Sequence, residues 1–124
     1  MTAYAQASPA AYKTQSIMTA TPGRLVVMLY DGAIRFFYQA AVLMREGTRG
    51  TALERLDRGE AIVDHLLATL DMSAGEIAER LEGIYVWSKR LLLEARRDQD
   101  ADKVDLVRGY LTELRESWAQ IAGA

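Results

Sequence analysis

Between Thr21 and Arg45 the chain reads TPGRLVVMLYDGAIRFFYQAAVLMR, and this stretch limits what the rest can become. Pro22 has a fixed φ suited to the first turn of a helix, and Thr21 stands where an N-capping hydroxyl would sit. No proline follows. Leu25, Leu29, Gly32, Phe36, Ala40 and Leu43 recur at helical spacing and share one face. Val26, Ala33, Phe37 and Met44 widen that face, while Val27, Ile34 and Ala41 repeat every seventh residue on roughly the opposite side. A surface helix needs only one apolar stripe. A helix apolar nearly all round is either central to its fold or keeps an oily side for a guest.

Three more helices follow. Glu46-Gly47-Thr48-Arg49-Gly50-Thr51 reads as a turn, then a helix is expected over Ala52–Leu70 with Leu56, Val63, Leu67 and Leu70 as its stripe. After Asp71–Gly75, a helix over Glu76–Arg97 carries Ile77, Leu81, Ile84, Tyr85, Ser88, Leu91, Leu92 and Ala95 inward. Val86 and Leu93 fall on its outer face, with Trp87 at the margin. Asp98–Asp102 is a polar turn with capping residues, and the last helix, Lys103–Ile121, has Val107, Tyr110, Leu111, Leu114, Trp118 and Ile121 in one stripe. Nothing alternates like a strand. Helices joined by short turns favour antiparallel neighbours. The expected fold is all-α, an antiparallel up-down four-helix bundle over residues 21–124, preceded by an arm over residues 1–20 that contains Tyr12.

The totals exclude several roles. A chain of 124 residues makes one domain, and a net charge of −2 argues against a protein built mainly to grip nucleic acid. Without cysteine there is no disulfide or thiol chemistry and no sulfur-ligated metal. The polar amino terminus is not a Sec-type signal peptide, and no apolar run approaches the ~20 residues of a membrane span. A cytoplasmic protein that does not insert in membranes is expected.

Little in the chain suggests chemistry. His65, the single histidine, falls on the polar side of its helix, and no Glu precedes it by three residues as paired di-metal motifs require. Asp31 lies in the apolar first helix, where a solvated or cation-paired carboxylate is the plain reading. The pairs Lys89-Arg90 and Arg96-Arg97 read as a solvated face. No catalytic residue, cofactor or metal is assigned. The apolar surplus is the informative feature: Val27, Ile34, Val86 and Leu93 are either scatter and burial or parts of a groove for an amphipathic helix or an apolar extended segment.

Specific blocks then resemble a known family. Ala11-Tyr12-Lys13 followed by Ser16-Ile17-Met18-Thr19-Ala20-Thr21-Pro22 and Met28-Leu29-Tyr30-Asp31-Gly32-Ala33 is similar to the opening of the flagellar secretion chaperone FliS family. Leu70-Asp71, Gly75-Glu76-Ile77-Ala78, Leu81, Ile84 and Tyr85 resemble its middle segment, and Leu111, Leu114, Arg115 and Trp118 its close. Tyr85-Val86-Trp87-Ser88 stands where the family usually has Tyr-Asp-Tyr-Met. The resemblance implies an antiparallel four-helix bundle and a non-enzymatic cytoplasmic chaperone. Such a protein binds the disordered carboxy-terminal part of flagellin, blocks premature polymerisation and aids delivery to the export gate. The arm in that family can lie over part of the groove. Tyr12, with Val27, Ile34, Val86 and Leu93, is the expected contact set. Export-gate or other flagellar regulatory proteins are further candidate partners in this reading, and the sequence leaves open whether the free chain pairs with a twin as a homodimer. A helical bundle with a regulatory or structural role, binding another protein, is the alternative.

Overall fold

The computed structural model describes the backbone of residues 22–122 and the side chains of residues 23–120. The expected arm and Tyr12 lie outside the described residues. Helix α1 spans Pro22–Arg45, α2 Arg49–Ala68, α3 Glu76–Asp98 and α4 Ala101–Ala122, with a short 3-10 turn at Met72–Ala74. Among the described residues there is no strand.

The connections follow from local chemistry. At the end of α1, Gly47 adopts φ 79°, which a residue with a Cβ resists. Its N–H donates to the Met44 carbonyl and that of Thr48 to the Leu43 carbonyl, closing the helix by a Schellman arrangement. One glycine suffices, so α2 starts at Arg49 and Gly50 belongs to its first turn rather than to the loop, a correction to the expected start at Ala52. Asp71 Oδ1 accepts from the Ser73 backbone N–H at 3.0 Å and opens the 3-10 turn. Gly75, at φ 78° and ψ −134°, redirects the chain into α3. After α3, Asp100 Oδ1 accepts from the N–H of Asp102 and of Lys103, which caps α4 two residues before the expected start.

Pairings between helices run in opposite order along each seam, so neighbours are antiparallel. Asp31 of α1 holds Arg115 of α4 at 2.8 Å, and Arg45 at the far end of α1 reaches Asp102 at the start of α4. Between α2 and α3, Arg96 bonds Asp57 and Glu60, while Lys89 bonds Asp64. Between α3 and α4, Glu94 meets Lys103. Asp31 is thus cation-paired. Of the two expected basic pairs, Lys89, Arg96 and Arg97 all hold carboxylates.

Helix α1 is the central one. It packs extensively on both α2 and α4, which grip α3 less closely. Tyr30, Ala33, Phe37, Ala40 and Met44 form its most buried row. Val27, only 4% exposed, and Ala41 are buried as well, because α4 covers the side of α1 expected to stay oily. By length and hydropathy alone Gly23–Arg45 is apolar enough to cross a bilayer, which the expectation from the sequence overlooked. Here its apolar sides are spent on its neighbours.

The diagonal contact between α1 and α3 is polar at its centre. The Tyr30 and Tyr85 hydroxyls hydrogen-bond to each other in the core. Burial raises both phenol pKa values, Tyr85 most strongly. One turn on, Ser88 is fully buried and its Oγ has no hydrogen-bond partner. A buried unpaired hydroxyl costs about 1–3 kcal/mol. Ser88→Ala is therefore expected to raise the unfolding temperature by about 4 °C or more, read by thermal melting. An unchanged or lower melting point would mean that the hydroxyl is satisfied in solution.

Candidate functional site

Most apolar residues of α1 are covered or half-covered, with Met28 and Tyr38 as exposed exceptions, and the rest of the surplus lies mostly on α3 and α4. Ile77 is 59% exposed and Tyr110 45%, although helical spacing puts both in inner stripes. The correction has one cause: a stripe wider than the seam it serves spills over the edge. On α3, Leu81, Tyr85, Ser88 and Leu92 fill the core, which leaves Ile77, Ile84 and Leu91, seven apart, along the flank toward α4. On α4, Val107 and Leu111 fill the core, while Leu106, Tyr110 and Leu114 line the flank toward α3.

These two flanks form an apolar groove. Trp87 and Tyr110 meet edge to face across it, with ring centroids 5.0 Å apart and planes at 68°. From Ile77 to Leu91 it runs about 21 Å, the length of a four-turn helix. Near the end where α3 begins it deepens into a hollow of about 270 Å³ walled by Ile77, Leu81, Ile84, Leu114 and Trp118. A second hollow of about 260 Å³ shares Ile77, Leu81 and Trp118 with it and reaches Val26, Leu70 and Tyr85 under the bundle end. At the other end the Lys103–Glu94 ion pair, at 2.8 Å, crosses the seam. That contact raises the Lys103 pKa and lowers that of Glu94.

Of the residues singled out from the sequence, Val86 and Leu93 are exposed, at 45% and 63%. They share a face with Lys89 and Arg96, which bind α2, so they stand on the opposite flank of α3 from the groove. Ile34 is half-buried against the core. Val27 offers a partner no surface, because α4 packs over that side of α1. The expected set is therefore not gathered into one place. Of the residues that line the groove, helical spacing puts Ile77, Ile84, Leu91, Tyr110 and Leu114 in inner stripes and Trp87 at the margin of the outer face. The signal that could have found them is the width of the α3 stripe, two heptad rows where one seam needs one.

Among the described residues the groove is lined mainly by apolar and aromatic side chains, with Arg80 and Ser117 beside them. His65 is exposed at the far end of α2, and among the described residues no three His, Asp or Glu side chains are grouped to hold a metal ion. An elongated apolar channel with aromatic walls and a polar rim is the form taken by sites for an amphipathic helix. Fold and groove together define a small four-helix bundle with an open apolar groove between α3 and α4. Residues 4–124 match the family model described as "Flagellar protein FliS", and the chain belongs to that family. It is similar to the flagellar secretion chaperone FliS of Salmonella typhimurium, 35% identical over 122 residues, covering 97% of this chain and 87% of the relative. It is also similar to the flagellar secretion chaperone FliS of Bacillus subtilis, 32% identical over 110 residues, covering 89% and 82%.

Proposed function

We propose that this chain is an export chaperone for flagellin. It holds the disordered carboxy-terminal segment of the subunit in the cytoplasm, prevents premature polymerisation and hands the subunit to the export apparatus. The groove between α3 and α4 carries this reading: the family does not explain why Ile77 and Tyr110 stand exposed beside a half-buried Trp87, whereas a helical guest does. Apolar faces that pair as helices in a filament are hazardous while free, and a bundle covers them without chemistry. The protein acts by binding and release, not as an enzyme.

Ordering a disordered segment costs about 2–5 kcal/mol, so the guest must cover about 1,000 Å² or more. The groove alone is short for that. The guest therefore continues past it, onto Val86 and Leu93 on the outer side of α3, and Tyr12 adds a contact to it. Ile34 supports α1 behind these surfaces rather than contacting the guest.

The test is a titration of the purified chain with a synthetic peptide of the host flagellin's carboxy terminus, followed by calorimetry and far-UV circular dichroism. The expected result is a saturable one-to-one complex, more helical than the sum of its parts. A peptide that gives neither heat nor added helix would overturn the reading and leave the chain a bundle for another protein.

A further inference from the structure

Gly83 lies in the interior of α3, where glycine weakens a helix relative to alanine. Two other helical glycines show what a reason within the chain looks like. A Cβ at Gly59 would strike the Phe37 ring, and one at Gly32 would press on Ile62 Cδ1 at 3.2 Å, so both let α1 and α2 approach. At Gly83 nothing lies within 4 Å of an added Cβ. Its backbone is helical, so it needs no special conformation either. Among the described residues, no neighbour calls for the missing side chain.

The reason lies outside the chain. Gly83 is exposed on α3 one turn before Trp87, and with Arg80, Ile84, Trp87 and Tyr110 it walls a hollow of about 390 Å³. This hollow adjoins the one beside Ile77 along the groove, since Arg80 and Ile84 belong to both. A side chain at residue 83 would stand in it, close to the Trp87 and Tyr110 rings that meet edge to face. A bare turn of helix beside aromatic walls is a place where another backbone can come close. Packed helix axes lie about 8–10 Å apart, depending on the side chains at the contact, and glycine permits the short end.

We propose that Gly83 is the point where the flagellin helix crosses α3 backbone to backbone. A small residue of the guest lies on the glycine, and its bulkier neighbours enter the hollows beside Trp87 and Ile77. The inference rests on the chaperone reading and adds to it the residue that sets how closely a guest can lie, and so which guests fit. The helix stability given up at Gly83 is kept for binding. Stability of the free chain and capture of the guest should therefore move in opposite directions when the glycine is replaced.

Thermal melting of the free chain and calorimetric titration with the carboxy-terminal peptide of the host flagellin measure both on the same proteins. Gly83→Ala should melt about 3 °C higher than the parent and bind the peptide about tenfold more weakly. Gly83→Leu should melt no lower than the parent and bind about 100-fold more weakly, because its side chain fills the hollow. Gly109→Ala is the control. Its site is equally open but borders none of the hollows along the groove, so it should gain the same stability and bind as the parent does. Gly83 variants that bind as tightly as the parent would overturn the proposal. So would equal losses for alanine and leucine, which would mean that α3 has to flex rather than be approached. A Gly83→Ala protein that melts below the parent would give the glycine a role within the fold and overturn it too. A parent that takes up no peptide is a separate result: the chaperone reading then fails before any variant is compared, and this inference falls with it.

Discussion

Replacing Gly59 by alanine is expected to lower the unfolding temperature by about 8 °C, and replacing Gly109 by alanine to raise it by about 3 °C. The two changes are chemically identical, both within helices. What differs is the space above them. A Cβ at Gly59 would lie 2.5 Å from Cε1 of Phe37, whose ring is fully buried between α1 and α2. At Gly109 nothing lies within 4 Å. Alanine gains up to about 1 kcal/mol over glycine in a helix. At Gly109 that gain stands alone. At Gly59 it is outweighed by an overpacking cost near the top of the usual 1–3 kcal/mol range, because the ring has no vacant volume to enter and α2 must back away from α1. Phe37→Leu combined with Gly59→Ala should cost less than the two single changes added together, as each relieves the other. Thermal melts of the four proteins decide it. A Gly59→Ala protein as stable as the parent would mean that α1 and α2 are not in the close approach described here.

The same pair of helices shows what the sequence makes legible. The 3.6-residue recurrence from Leu25 to Met44 was enough to place a helix, and its all-round greasiness was enough to offer two fates for it. Choosing between those fates needed α4. The Asp31–Arg115 pair joins residues far apart in the chain, and no local pattern shows that α4 lies over the side carrying Val27 and Ala41. The turns were readable because their chemistry is local: Asp71 and Asp100 cap as acidic side chains do, and Gly47 ends a helix. Gly50 was misplaced because a second glycine near a turn looks the same whether it sits in the loop or in the first helical turn. Ile77 and Tyr110 were misread for a more general reason. Spacing tells which residues share a face, but not how closely the next helix approaches that face. Helix α3 is gripped less closely than α1, so Ile77 of its wide stripe stays outside, Ile84 and Leu91 stay half-buried, and these three edge the groove.

That geometry sets the largest expected effect on binding. Ile77→Asp with Tyr110→Asp should reduce the affinity for the flagellin peptide by about 100-fold or more while leaving the helical signal intact. Ile77 is 59% exposed and Tyr110 45% exposed at the surface of α3 and α4, outside the core, so charging them leaves the fold standing. In the complex each would put an unpaired carboxylate against an apolar guest, and the loss of the Tyr110 ring also removes the wall that meets Trp87. Val86→Asp with Leu93→Asp should also weaken capture, but by about tenfold, because neither residue lines the hollows at the groove and guest residues over them stay partly hydrated. Calorimetric titration of parent, groove variant and strip variant against one peptide separates the cases. A strip variant hit harder than the groove variant would move the main contact to the α2 side of α3. The hollow shared by Ile77, Leu81 and Trp118 would then need another occupant.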